Sequence, residues 1–161
     1  MTRRATPPLP FTLNIAITNA WVSQLFDQEL EKRGIAPFQS GTLMMLHRHQ
    51  PVTPSDLQAV MGVPSTTLRN RVNELVAAGL VERVPNPQDG RSHLLRTTSA
   101  AQDVVKASAA AARQVQRMLA KRGIDVEDGL VGRLDDLRAA TKDLVTGPPP
   151  SGRGSLTTGP W

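Results

Sequence analysis

The sequence of 161 residues contains no cysteine, no tyrosine and few other aromatic residues. Without cysteine, disulfide-stapled folds, cysteine-ligated zinc, iron–sulfur clusters and thiol redox switches are excluded. Aromatic side chains make up 3% of the chain, too few for the stacking platforms of single-stranded nucleic-acid binders. No run approaches the roughly 18 consecutive apolar residues of a membrane span, and no apolar segment follows the basic N-terminus. We therefore expect a cytoplasmic protein with no signal peptide and no membrane partner.

Positive charge is in excess, since 19 Lys and Arg face 14 Asp and Glu, for a formal net charge of +5. This balance favours an anionic partner such as nucleic acid without identifying one. The sequence carries no nucleophile elbow, glycine-rich phosphate loop or metal-ligand spacing. His47 and His49 lie two residues apart, which on a helix turns them about 200° away from each other. The sequence therefore predicts a protein that is not an enzyme and that binds neither metal nor cofactor.

The two ends of the chain differ in composition from the segment between them. Residues 1–9 are predicted to be flexible, and residues 147–161 are predicted to form a disordered tail, because eight of those fifteen are glycine or proline. Apolar residues recur at helical spacing over residues 10–34 and again over 99–146. The first of these helices carries two overlapping apolar rows, a wider face than one neighbouring helix covers.

The central segment has the order of elements that is most informative about function. Thr53 is positioned to cap a short helix that ends at Gly62, and a second helix follows from about residue 65 to 78. Residues 80–84 and 93–96 are strand-like and are joined by a segment dense in turn residues. This order predicts a helix-turn-helix followed by a β-hairpin wing.

The second helix of a helix-turn-helix enters the major groove with its N-terminal residues on base edges. Here that helix begins with small hydroxyls followed by arginine and asparagine, which bind phosphates or read guanine and adenine edges. The predicted DNA-binding side chains are Ser65, Thr66, Thr67, Arg69, Asn70 and Arg71. The sequence leaves open which of the last three reads bases. It also leaves open whether Arg83 and Arg96 contact phosphate or only lie on the strand surface.

Taken together, these motifs resemble the MarR-type winged-helix transcription regulators. The resemblance is densest over about residues 37–105. It rests on a compound pattern, in which Gly79-Leu80-Val81-Glu82-Arg83 is followed at the family's distance by Asp89-Gly90-Arg91. The matching segments are Thr53–Leu57, Met61–Val63, Ser65–Arg69, Leu75–Arg83, Asn86–Ser92 and Leu94–Thr98.

The resemblance implies a mainly α (α+β) fold with a two-stranded β wing. The winged helix-turn-helix would occupy residues 37–97, and long dimerisation helices would occupy 10–34 and 99–146. Together these would form a single domain over residues 10–146. The wide apolar faces of the terminal helices independently favour burial against a second copy.

The resemblance also implies an obligate homodimer that binds double-stranded DNA through paired recognition helices. The wing arginine would be Arg91, which enters a minor groove whose narrowness concentrates negative potential. Asp89 would hold Arg91 in position, and Asn86 and Gln88 would shape the wing. Pro64 departs from the usual Ser or Thr cap of the recognition helix.

These features predict a sequence-specific regulator of transcription, a ligand-responsive repressor that binds an inverted-repeat operator. Two alternatives use the same fold: a weakly specific architectural DNA-binding protein, and a protein-interaction module without specific DNA binding. A pocket for a small-molecule effector would be lined by Trp21, Phe38, Met44 and Met45, because methionine adapts to varied ligands. The same four side chains also suit an ordinary core, which is the simpler interpretation.

Overall fold

The computed structural model describes residues 9–126 and 129–147. Within them the elements are α1 (Phe11–Glu31), α2 (Pro37–His49), α3 (Pro54–Met61), α4 (Ser65–Ala77), β1 (Val81–Pro85), β2 (His93–Thr97), α5 (Ala101–Ala120) and α6 (Gly129–Thr146). The expected mainly α fold with a small antiparallel sheet is confirmed. The predicted flexible N-terminus and the predicted tail lie outside the described residues, apart from Leu9 and Gly147.

The start of α3 is fixed by the threonine that precedes it. Thr53 Oγ1 accepts a hydrogen bond from the backbone N–H of Asp56 at 3.1 Å, which confirms the predicted cap. The Asp56 carboxylate accepts from the Thr53 hydroxyl at 2.7 Å, whereas in the capping box it would accept from the backbone N–H of the cap residue. At the other end of α3, Gly62 adopts a left-handed φ of 64° and turns the chain toward α4.

The helix α4 begins without a side-chain cap, because Pro64 stands at its N-cap and offers no acceptor. Its buried residues are Leu68, Val72 and Leu75, which recur at three- and four-residue spacing. The remaining face is polar and mostly exposed. The periodicity of the sequence therefore predicted this helix and its two faces correctly.

One hydrophobic core joins α2, α3, α4, the two strands and the start of α5. Its buried members are Leu43, Leu46, Val52, Leu57, Leu68, Val72, Leu75, Leu80, Val81, Leu95 and Ala101. Val52 also forms an isolated antiparallel bridge with Leu95, on the second edge of β2. This bridge fixes the wing strand to the segment between α2 and α3, and the sequence analysis did not foresee it.

The wing is an antiparallel pair, β1 with β2, in a register from Val81 opposite Thr97 to Pro85 opposite His93. A loop of residues 86–92 joins the strands. The predicted hairpin with an extended tip is therefore confirmed, and both strands end one residue later than the sequence indicated.

A second, smaller core lies where α1 packs on α5. Leu30, Ile35 and Ala111 are buried there, with Phe26 and Val104 packed against them. On α5, Ser108 is also fully buried, a small polar residue in the same row as the buried Ala101, Ala111 and Val115. A small side chain at this position lets neighbouring helices approach closely.

An ion cluster occupies the last turns of α1. The carboxylate of Glu29 accepts from Lys32 at 2.6 Å and from Arg33 at 2.9 Å, although Glu29 is only 4% exposed. The hydrogen bonds from Lys32 and Arg33, in that order, hold the pKa of Glu29 below its ordinary value against the opposing effect of burial. The charged form of Glu29 is therefore part of the folded structure.

The first half of α1 is solvent-exposed, since all residues from 9 to 24 fall in the exposed class. They include large apolar side chains, among them Trp21, which is 68% exposed. No helix among the described residues is both long enough and apolar enough to cross a membrane.

The chain divides into two compact units, one ending at Ile124 and the other beginning at Asp125. The second unit contains α6, in which no described residue is buried. The division falls inside residues 99–146, the predicted second dimerisation segment. The role assigned to that segment, and the single domain over 10–146, stay predictions.

Candidate nucleic-acid interface

The helix α4, the predicted recognition helix, presents a polar face opposite its buried row. At 100° per residue, Thr66, Asn70 and Asn73 fall on the side away from Leu68 and Leu75. All three polar residues are exposed. Arg69 is exposed as well, on the flank of the same face, and Ser65 is exposed at the start of the helix. The N-terminal half of α4 therefore offers hydroxyl, amide and guanidinium groups to a partner while its other side holds the core.

The structure separates the three candidates for base reading. Arg69 and Asn70 are exposed, whereas Arg71 is half-buried and lies next to the buried row of α4. Thr67 is half-buried in the same way. If the exposed face of α4 pointed into a DNA groove, Asn70 and Arg69 would therefore reach the base edges more readily than Arg71.

The wing tip is held by hydrogen bonds that leave its arginine side chain free. Asp89 Oδ1 accepts from the backbone N–H of Arg91 at 3.0 Å, so the predicted support of Arg91 by Asp89 runs through the backbone. Asn86 donates to Ser92 Oγ at 2.8 Å and accepts from the N–H of Gln88 at 3.0 Å. No hydrogen bond joins the Arg91 guanidinium to another described residue. The loop thus fixes the backbone and presents an exposed cation at its tip.

The base of the wing is tied to the end of α2. The side-chain oxygen of Gln50 accepts from the backbone N–H of Thr97 at 2.7 Å and from its hydroxyl at 2.8 Å. His47 Nδ1 lies 3.3 Å from both Thr97 Oγ1 and Gln50 Nε2. His47 therefore has a structural contact, and His49 is exposed two residues away.

A second tie joins the wing to α4. Arg83 of β1 donates from Nη2 to Asn73 Oδ1 at 2.7 Å. The sequence left open whether Arg83 contacts phosphate or only lies on the strand surface. The structure shows that its guanidinium binds a side chain of the protein itself. Arg96 is exposed on β2 and pairs across the strands with Glu82.

A cavity of about 420 Å³ lies between α3, α4 and the two wing strands, which contribute Arg83 and His93 to its lining. Its polar lining includes Ser55, Ser65, Arg69, Asn73, Arg83 and His93. Two guanidinium groups and several neutral donors therefore face one concave surface beside the exposed face of α4. Such a surface is suited to an anion.

The four residues predicted to line an effector pocket do not line this cavity. Trp21 and Phe38 are exposed, and Met44 and Met45 are half-buried on α2. Met45 packs against the core of the winged helix, and Met44 contacts the hydroxyl of Ser40 through its sulfur at 3.7 Å. The cavity beside α4 includes none of these four side chains in its lining.

Sequence reasoning missed two residues that organise this interface, Asn73 and Gln50. The position of Asn73 carried a signal, since it lies seven residues after Thr66 and so on the same helix face. Gln50 carried none, because its partner lies 47 residues away and only the folded chain brings them together.

Comparison with known proteins shows which family the central part of the chain is similar to. A sequence profile described as MarR family matches residues 33–92. The multiple antibiotic resistance protein MarR of Escherichia coli (strain K12) is 30% identical over 91 residues. That alignment covers 56% of this chain and 63%, just under two thirds, of the E. coli protein.

Solved structures share the fold over most of the chain. The reduced form of MarR from E. coli is 26% identical with a TM-score of 0.65, over 84% of this chain and 98% of its own. A Listeria monocytogenes protein of the MarR family, in complex with a 26mer DNA, is 16% identical with a TM-score of 0.70, over 85% and 90%. The Staphylococcus aureus MepR–DNA complex is 19% identical with a TM-score of 0.63, over 86% and 98%.

Proposed function

We propose that this chain is a MarR-type winged-helix regulator of transcription that binds double-stranded DNA as a homodimer in the cytoplasm. The observation that carries the proposal is the exposed polar face of α4 beside a wing with a free arginine at its tip. Neither feature serves the core, and both present donors and positive charge to one partner. Structures of two proteins with this fold contain DNA, which supports the same partner here.

The proposed binding mode follows from the two surfaces. α4 enters the major groove, where Arg69 and Asn70 read base edges and the hydroxyls of Ser65 and Thr66 bind phosphates. Arg91 enters the neighbouring minor groove, where a single cation is attracted without a fixed hydrogen-bond geometry. The net charge of +5 adds a favourable interaction that does not depend on sequence.

The dimer is supported by apolar surface that the chain leaves uncovered. The first half of α1 exposes six large apolar side chains: Phe11, Leu13, Ile15, Ile17, Trp21 and Val22. Within its own unit, α6 exposes Leu130, Val131, Leu134, Leu144 and Val145. A two-fold dimer that buries such faces would present two recognition helices to major grooves about 34–36 Å apart, one helical turn of DNA.

We propose repression on an inverted-repeat operator as the mode of regulation. A solved protein with this fold is described as the Multiple Antibiotic Resistance Repressor, at 22% identity and a TM-score of 0.59. A small-molecule effector would release the operator by binding more tightly to a dimer whose recognition helices are wrongly spaced. This effector step rests on the family resemblance alone.

The experiment that tests the function is selection of bound sites from randomised duplex DNA at near-physiological salt. We expect enrichment of an inverted repeat whose half-sites lie about 10 base pairs apart, which reflects the symmetry of the dimer. Recovery of random duplex would favour the architectural alternative. Recovery of no duplex would contradict DNA binding and favour the protein-interaction module.

Two variants sharpen the selection. Arg69→Ala should relax the preference at one position of each half-site if this side chain reads a base, and should weaken all sequences equally if it binds phosphate. Arg113→Ala is the matched control, because Arg113 is an exposed arginine of α5 outside the winged helix. The enriched sequence should be the same for this control and the unchanged chain.

A further inference from the structure

The hydrogen bond from Arg83 to Asn73 links two separate elements, the first wing strand and the recognition helix. It spans 2.7 Å between Nη2 and Oδ1 and joins the middle of β1 to the third turn of α4. Among residues 9–126 and 129–147, it is the only side-chain hydrogen bond between α4 and the wing. The root of the wing is therefore tied to the recognition helix at this point.

The strand places Arg83 on the side of the sheet that faces the helices. In the antiparallel register Arg83 lies opposite Leu95, and cross-strand partners project from the same face. Leu95 is fully buried in the core. The Arg83 side chain therefore leaves the inner face of the wing and reaches past the core to the exposed side of α4.

The guanidinium decides which way the Asn73 amide points. Arginine carries only donors, so the amide must turn its oxygen toward Arg83. The amide nitrogen and its two N–H groups are thereby directed away from Arg83. Asn73 shares its exposed helix face with Thr66 and Asn70, at spacings of seven and three residues. The C-terminal end of that face therefore carries the amide N–H groups of Asn73 in a fixed orientation.

The position of Asn73 along α4 indicates what that donor meets. Base contacts of a recognition helix come from its N-terminal residues. Asn73 lies eight residues after Ser65, about 12 Å farther along the helix axis at 1.5 Å per residue. The bond from Arg83 also holds the amide oxygen toward the wing, whereas the bidentate contact to adenine needs the donor and the acceptor directed together at one base edge. A phosphate oxygen, which only accepts, matches the two N–H groups that point away from Arg83.

We propose that Asn73 binds a DNA phosphate and that Arg83 is the positioning residue that orients its amide. The proposal rests on the proposed function and adds a contact at the end of the recognition helix. It gives Arg83 a role that depends on the length of its side chain and the planar geometry of its donors, beyond its charge, and the shorter lysine does not supply either. The pair acts as one unit, so the removal of either member removes the same contact.

The test is a double-mutant cycle on operator affinity with Asn73→Ala, Arg83→Lys and both together. We expect each single variant to weaken binding about tenfold and the double variant to be no weaker than either, because the contact is lost once. The dependence of affinity on salt should be unchanged in all three, since no positive charge is removed. The loss should be equal on operator and on unrelated duplex, as for a phosphate contact.

Arg96→Lys is the matched control for Arg83→Lys, because Arg96 makes no side-chain hydrogen bond to α4 among the described residues and projects from the other face of the sheet. Its effect should add to that of Asn73→Ala. Thermal unfolding of every variant separates loss of contact from loss of fold.

Three results would overturn the inference while leaving the proposed function intact. They are additive losses for Asn73→Ala and Arg83→Lys, full affinity of Arg83→Lys, and a sequence preference altered by Asn73→Ala. Failure of the unchanged chain to bind any duplex would instead remove the proposed function, and this inference with it.

Discussion

At the scale of single residues, the side chain of Arg91 can be removed to test DNA binding without disturbing the contacts that shape the wing. Its backbone N–H helps to fix the wing through Asp89, whereas its guanidinium has no hydrogen bond to a described residue. Removal of the side chain therefore leaves the contacts that shape the loop in place. The same separation does not hold for Arg83, whose guanidinium is itself a structural contact.

We predict that Arg91→Ala weakens DNA binding by about 1–3 kcal/mol with no change in unfolding temperature. The physical reason is the loss of a cation from a groove of concentrated negative potential. Fluorescence anisotropy with a labelled duplex measures the affinity. Gln88→Ala is the control in the same loop, because only the backbone N–H of Gln88 takes part in the wing contacts. Equal affinities for Arg91→Ala and the unchanged chain would remove Arg91 from the interface.

A second residue-scale prediction concerns the Glu29 cluster and pH. The folded state holds the pKa of Glu29 below its ordinary value, chiefly through the hydrogen bond from Lys32 and then that from Arg33. The stabilisation is therefore complete at pH values above the ordinary pKa and is lost as pH falls through the lower, folded value. Thermal unfolding should show Glu29→Gln less stable than the unchanged chain at pH 7. The difference should shrink as the pH falls below the ordinary pKa of a glutamate side chain.

A difference between Glu29→Gln and the unchanged chain that stays constant with pH would show that the charge of Glu29 is not what stabilises this turn. Asp103→Asn offers a control, because Asp103 is almost fully exposed and lies 3.9 Å from Lys106. An exposed pair of this kind contributes little. Its substitution should change the stability at pH 7 by much less than Glu29→Gln does.

At the scale of elements, the turn between α3 and α4 depends on a backbone conformation. Gly62 has a φ of 64°, and a Cβ added there would meet no atom within 4 Å. The cost of a side chain at this position is therefore conformational and not steric. Any residue with a Cβ is expected to strain the turn that sets the angle of the recognition helix.

We predict that Gly62→Ala lowers the free energy of unfolding by about 1–2 kcal/mol, the cost of a left-handed conformation for a residue with a Cβ. Gly41→Ala is the matched control. Gly41 lies inside α2, is also free of neighbours within 4 Å and has no positive φ. This control should stabilise the protein by about 0.5–1 kcal/mol, because glycine is unfavourable within a helix. Chemical denaturation measures both, and equal effects of the two substitutions would contradict the argument.

The elements also show what a sequence reveals and what it does not. The cap at Thr53, the turn at Gly62 and the buried row of α4 depend on neighbours within a few residues, so periodicity and turn chemistry predicted them. The bridge of Val52 to Leu95 and the bonds of Gln50 to Thr97 join residues more than 40 positions apart. No local pattern encodes such pairs. The candidate site divides in the same way: its exposed face was predictable, and its ties to the wing were not.

At the scale of the whole molecule, the exposed apolar surface of α1 is the feature that a single chain leaves unexplained. Leu13, Ile17 and Trp21 follow one another at four-residue spacing and are all exposed. Residues so spaced form one stripe along a helix. Soluble monomers rarely leave a contiguous apolar stripe in water, whereas a second copy would cover it. The proposed symmetric binding of DNA depends on this association.

We predict that the chain sediments at twice its mass of 17.4 kDa and that Ile17→Asp weakens this association about a hundredfold. Each substitution removes about 1.5–3 kcal/mol of apolar burial, and a two-fold interface contains the residue twice. Val60→Asp is the matched control, because Val60 of α3 is 37% exposed and Ile17 is 39% exposed. Sedimentation equilibrium should show a dimer for the control and a monomer–dimer mixture for Ile17→Asp. If both variants stay fully dimeric, α1 lies outside the interface, and the spacing of the recognition helices must be set by another surface.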